Sequence, residues 1–152
     1  FFDTPYPSGN SIMCKNLHIL GKYLGRMDWI QRAEKMLHQI EDKIRKMPSA
    51  LGSWLDVIFQ IQKQNYEIAI IGPKAKDWGH IIKKELIPGS ILMADDQPDS
   101  SFPLLDRTLD EDKTQIFLCE NYTCSMPIDD LDSFWKQYAM NNSILHESRR
   151  NV

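Results

Sequence analysis

No apolar run in the sequence approaches the roughly 18 residues that would suggest a membrane-spanning helix, and no membrane partner is expected. No basic stripe is present either, and the formal net charge of the 152 residues is −3. A nucleic-acid partner would need such a stripe; Arg149-Arg150 reads as a frayed tail. Cysteine is scarce, three in all. An odd, sparse set does not build a secreted disulfide framework and fits a reducing, cytoplasmic setting. The start, Phe1-Phe2-Asp3-Thr4-Pro5, has no initiator Met, no basic n-region and no apolar h-region. It is not read as a signal peptide, and the chain is expected to begin inside a longer sequence. Neither G-x-G-x-x-G nor G-K-[ST] occurs, so no nucleotide fingerprint is present. With 42% hydrophobic and 26% charged residues, the composition is that of a folded chain, large enough for one domain or two small units.

Helical spacing dominates the first part. From Ser8 to Leu24, Ile12, Met13, Leu17, Ile19, Leu20, Tyr23 and Leu24 predict a helix with a wide apolar face. Ser8 or Asn10 can cap it and Gly25 can stop it. A second, amphipathic helix is predicted from Asp28, its N-cap with Gln31 three residues on, to Met47. Its stripe is Trp29, Ala33, Met36, Leu37, Ile40, Ile44 and Met47, and Pro48 ends it. A third, from Ser49 to Gln62, is apolar nearly all round and therefore predicted to be buried. Buried, half-wet, buried is the order of inner and outer helices in a toroid of helical hairpins, although a plain bundle reads similarly.

At Asn65 the character changes. Strands are predicted at 66–71, 90–94 and 115–119, with a helix from about Lys76 to Leu86 between the first two. Asp129 or Asp130 caps a last helix carrying Leu131, Phe134, Trp135 and Tyr138, and order is expected to fade after Asn141. Ile116 and Leu118 face one way and Phe117 and Cys119 the other. A strand apolar on both faces predicts a sheet covered on both sides, hence mainly parallel strands. The fold class expected is α/β: residues 1–64 end an (α/α) toroid and residues 65–152 form a small three-stranded, mainly parallel α/β unit.

Few motifs carry chemistry. Cys119 and Cys124 form a C-x4-C pair without the second ligand pair that structural zinc needs, and no metal is expected. They are read as a structural pair shaping a strand-to-helix turn, with a disulfide as the lesser alternative. Gly72-Pro73 is read as a plain strand-to-helix turn. His18, His38, His80 and His146 are isolated from acidic or nucleophilic partners, although His18 could line an interior. Ser8, Gly9 and Asn10, in Pro7-Ser8-Gly9-Asn10-Ser11, are the candidate cavity lining. Small polar residues at the start of a buried helix offer N–H groups and an amide to whatever lies beyond it, with simple capping as the alternative.

Pro7-Ser8-Gly9-Asn10-Ser11 with Asn16-Leu17, Trp29…Arg32-Ala33…Met36-Leu37 and Gly52-x-Trp54 resembles the late toroid helices of one family. Glu67-Ile68-Ala69-Ile70-Ile71-Gly72, Ile87-Pro88, Leu104-Leu105 and Cys119-x-Asn121-x-Thr123-Cys124-x-x-Pro127 agree. It is the thioredoxin-domain-containing family of spermatogenesis-associated protein 20 and the bacterial YyaL-type proteins. The resemblance implies an N-terminal thioredoxin-like domain, then a six-hairpin toroid similar to that of N-acylglucosamine 2-epimerases, then a small α/β end piece. The thioredoxin-like cysteine motif and most of the toroid are missing here, and the segment before Pro7 is shorter than in relatives. The chain is thus expected to be a closure or interaction module whose partner is the rest of its parent chain, without a complete active site and without a cofactor. The alternative is part of a carbohydrate-directed enzyme with a sugar-like ligand in the toroid cavity.

Overall fold

The computed structural model describes residues 1–62, 66–85, 87–110, 113–120 and 123–148, the last seven as backbone only. Six helices and a sheet follow in the order α1 (Gly9–Leu24), α2 (Met27–His38), α3 (Glu41–Lys46), α4 (Gly52–Gln62), β1 (Tyr66–Ile71), α5 (Ala75–Lys84), β2 (Ile91–Asp95), β3 (Gln115–Glu120), β4 (Thr123–Cys124) and α6 (Leu131–Ser148).

The ends of α1 follow from its sequence. Ser8 is the N-cap and its Oγ accepts from the Ser11 N–H. Gly25 closes the helix in the left-handed region at φ 64°, its N–H donating to the Gly21 carbonyl, a conformation that costs glycine nothing. The turn lets α2 fold back closely. A Cβ at Gly21 would lie 2.7 Å from Ile30 Cγ1.

The amphipathic stretch differs from expectation. It is two helices, because the Ile40 N–H donates to Leu37 in a tightened three-residue turn. That turn swings Ile40 into the core, and the buried stripe is Ile30, Ala33, Leu37, Ile40 and Ile44. Asp28 does not cap; it sits in the first turn paired with Arg26. After a 3-10 turn at Pro48–Ala50, α4 buries Trp54 and Val57 but leaves Leu55 and Phe59 exposed, so it is not covered all round. Cys14, Leu51, Trp54 and Val57 form one apolar cluster with Ala33, Leu37, Ile40 and Ile44 of the stripe.

The sheet has four strands in the order β2-β1-β3-β4. β1 and β2 are parallel around α5, as expected, but β3 is antiparallel to β1 and to β4. The sheet is therefore mixed rather than mainly parallel. Burial on both faces reports only that both are covered; it does not set direction. The long connection from β2 to β3 contains no helix among its described residues, and a loop can return a strand in either sense.

Ile68, Ile70, Ile116 and Leu118 face α5 and α6, where Phe134 is fully buried. Ala69, Ile71, Phe117 and Cys119 face the segment carrying Leu104 and Leu105, with Tyr23 of α1 packed alongside. Asp130 caps α6, accepting from the Ser133 N–H and hydroxyl. The helix runs from Leu131 to Ser148.

Candidate functional site

The sequence points to the start of α1. There Ser8 is spent on the backbone: its Oγ serves the Ser11 N–H and donates to Ser11 Oγ, while Ser11 Oγ donates to the Ser8 carbonyl. Gly9 and Asn10 occupy the first helical turn and are exposed. Asn10 is therefore not the cap. A cleft of about 640 Å3 lies beside this turn, between the first residues, α1 and α4, with Asp3, Tyr6, Ser11, Lys15, Ser53 and Asp56 on its wall. Ser8, Gly9 and Asn10 are not part of that wall.

Asp3 is a residue that sequence patterning misses. Its Oδ1 accepts from the Ser8 N–H and the Ser53 hydroxyl, and its Oδ2 accepts from the Ser53 N–H. One carboxylate thus holds the approach to α1 and the first turn of α4 together, a negative charge where helix N-terminal donors gather. The Ser53 hydroxyl, then the Ser53 and Ser8 N–H groups, hold its carboxyl below the usual carboxylate range. The partners lie 5 and 50 residues away, so no local motif announces them.

The second feature is the outer face of α1. At about 100° per residue, positions 12, 16, 20, 13 and 24 fall within an arc of about 120°. All five are exposed, and four are large and apolar: Ile12 (46%), Met13 (53%), Leu20 (47%) and Leu24 (40%). The opposite face buries Ser11, Cys14, His18, Gly21 and Lys22. The inward face thus carries more polar groups than the outward one, the reverse of a helix packed only against its own domain.

Those inward groups meet the sheet. Lys22 Nζ lies 3.2 Å from Glu67 Oε1, with side-chain exposures of 10% and 0%. Glu67 shares the β1 face of Ala69 and Ile71. A carboxylate inside an otherwise apolar strand is the sequence signal for such a buried partner. His18, one turn before Lys22 and 8% exposed, has no hydrogen-bond partner for either ring nitrogen among the described residues. Burial, then the Lys22 charge, pushes its pKa down to about 4. His38 and His80 are exposed, bonded to Glu41 and to the Lys76 carbonyl; the His146 side chain lies outside the described residues.

Cys119 and Cys124 are joined as a disulfide. They are register partners on β3 and β4, so the segment is an antiparallel strand pair, with α6 beginning at Leu131. Bonded sulfurs cannot serve as thiolate ligands, and among the described residues no group of three or more His, Cys, Asp or Glu side chains is placed to hold a metal ion. Nor, among them, is any helix long and apolar enough to cross a membrane.

No family model and no solved structure matches the chain. The chain is similar to spermatogenesis-associated protein 20 of Mus musculus, 31% identical over 140 residues, which is 84% of this chain and 18% of that protein. The Homo sapiens protein of the same name is 32% identical over 139 residues, with the same shares. The chain therefore corresponds to less than a fifth of the length of these relatives.

Proposed function

Because the chain belongs to the family of spermatogenesis-associated protein 20, we propose that it is a closure and interaction module of a larger protein, without a complete active site of its own. In this reading residues 1–64 end an (α/α) toroid, residues 65–152 form the α/β unit, and the partner is the rest of the parent chain in the cytoplasm. The observation that carries it is the outward apolar face of α1, Ile12, Met13, Leu20 and Leu24. Each of these side chains is about half exposed, so covering one is worth about 1 kcal/mol, half of the value for a fully exposed side chain, and a neighbouring helix laid on this face gains that several times over. The chain's share of its relatives, 18%, leaves ample polypeptide to supply that helix.

The test expresses this chain and the remainder of the parent as two polypeptides and measures their association. Leu20→Asp is expected to weaken association about 10- to 100-fold, from the lost apolar burial and a buried charge, and to lower the melting temperature of this chain alone by only a few degrees, since Leu20 is half exposed there. Equal affinity for the variant, or no association of the unaltered pair, would sink the reading.

A second reading, part of a carbohydrate-directed enzyme, draws on the availability of Asn10. Since Ser8 does the capping, the Asn10 amide keeps two donors and an acceptor for a polyhydroxylated ligand, beside Ser8 and Gly9 at a toroid mouth. In the full-length parent, Asn10→Ser should leave the thermal melt in place. It should cost about 1–3 kcal/mol of affinity for any monosaccharide that calorimetry finds to bind. Unchanged affinity would leave these residues with a purely structural role.

A further inference from the structure

The Cys119–Cys124 bond does not sit in an inert setting. Cys119 is buried, while Cys124 is partly open at the edge of the sheet on a two-residue strand. Arg107 lies over Cys119: its Nη2 is 4.0 Å from Cys119 Sγ, and its guanidinium carbon is 5.9 Å from the Phe117 ring centre. The Arg107 Nε is buried and has no hydrogen-bond partner among the described residues. Two further charges on this face are Glu67, the register partner of Cys119 on β1, and Lys22, which is ion-paired with Glu67. Arg107 is then the one excess charge of that set. A negative charge arriving on Cys119 would balance it, and a disulfide sulfur is neutral while a thiolate is not.

We propose that Cys119–Cys124 is a thiol–disulfide exchange site for small dithiols, with Cys124 the sulfur attacked and Cys119 the leaving thiolate, received by Arg107. A thiolate of the dithiol bonds to Cys124 Sγ; the Cys119–Cys124 bond breaks and its electron pair leaves on Cys119. The second thiolate of the dithiol attacks the reagent sulfur of the mixed disulfide. It releases Cys124, which takes up a proton, and the reagent departs as a disulfide. The protein gains two electrons and one proton, and Cys119 keeps its charge beside the guanidinium. Exposure selects the sulfur attacked, and a leaving thiol of low pKa leaves faster. A cation at this distance is what lowers it. In a reducing compartment the bond would stand open and β4 would lose its covalent tie to β3.

The experiment incubates the intact oxidised chain with dithiothreitol without denaturant, quenches with an alkylating reagent and counts labels by mass, with the free, buried Cys14 reporting global unfolding. Two labels, on Cys119 and Cys124, are expected while Cys14 stays unlabelled, and removal of the reductant in air should restore the bond. Arg107→Met should slow opening about tenfold, and Arg107→Lys should recover part of the rate. In a Cys124→Ser chain, the alkylation rate of Cys119 should titrate below the ~8.5 of a free cysteine, and Arg107→Met should raise that midpoint. Labelling of all three cysteines together, opening as fast with Met at 107, or a midpoint unmoved by that change would each overturn the proposal.

Discussion

Replacing Lys22 with Met is expected to lower the free energy of unfolding by about 3–5 kcal/mol, the scale for breaking a buried ion pair at one end. The wild-type ammonium lies 3.2 Å from Glu67 Oε1, and the carboxylate is fully buried on the inner face of β1. The methionine fills most of the volume of the lysine stem, so packing loss is small. What is lost is the charge that stabilises a carboxylate out of water. For a chain of this size a native free energy of about 5–15 kcal/mol is ordinary, so the variant would be marginal at 37 °C. The double variant Lys22→Met, Glu67→Leu removes both charges and should return to within about 1–2 kcal/mol of the wild type, because apolar replacement of a whole buried pair is often neutral. Urea melts of the two single variants and the double variant measure the coupling. Single variants losing under about 1 kcal/mol, or a double variant no better than the singles, would show that the pair does not tie α1 to the sheet.

That pair also shows how far the sequence can be read. The caps of α1 and the β1–α5–β2 crossover are local: a serine before an apolar face, a glycine after it, proline and glycine between two β-rich runs. Such signals act within one or two turns of chain, and the structure follows them. Strand direction is not local. Ile116 to Cys119 carry the same two-faced apolar pattern whichever way β3 runs, and only its pairing with β1 decides. The break at Gln39–Ile40 escapes for a related reason. A continuous stripe is compatible with one straight helix or with two joined by a tight turn, and the core that receives Ile40 makes the choice. The Ser8 cap, with Gly9 and Asn10 after it in the first turn, is visible in the sequence because its residues stand in order. Asp3 with Ser53, and Lys22 with Glu67, are assembled across 50 and 45 residues and leave only an isolated charge in an apolar run as their trace. The uncovered face of α1 is hidden for the opposite reason: apolar residues at helical spacing announce burial without saying whether the cover belongs to the same stretch of chain.

Stability is expected to fall by about 2 kcal/mol between pH 7 and pH 5, and by roughly 3 kcal/mol over the whole fall to pH 4, through His18 alone. The unfolded chain binds a proton at this imidazole near the ordinary pKa of 6.5, whereas the folded chain binds it only near 4, because the ring is buried and Lys22 stands one turn away. Between those values the unfolded state holds more protons. Stability therefore rises with pH through the window and is lost as pH falls through it. The lowered carboxyls of Asp3, Asp28 and Asp130 act in the same direction but at lower pH, as it falls through the ordinary carboxylate range near 4 and below, so pH 5–7 isolates the histidine. His18→Leu keeps a similar apolar volume and cannot titrate. Its urea-melt free energy should be nearly level from pH 7 to pH 5, and at pH 5 it should match or exceed the wild type. A wild-type loss under about 0.5 kcal/mol across that interval, or an equal loss in the leucine variant, would mean that the imidazole accepts its proton inside the fold. Lys22 would then have to yield room for a second positive charge on the inner face of α1, beside the Lys22–Glu67 pair.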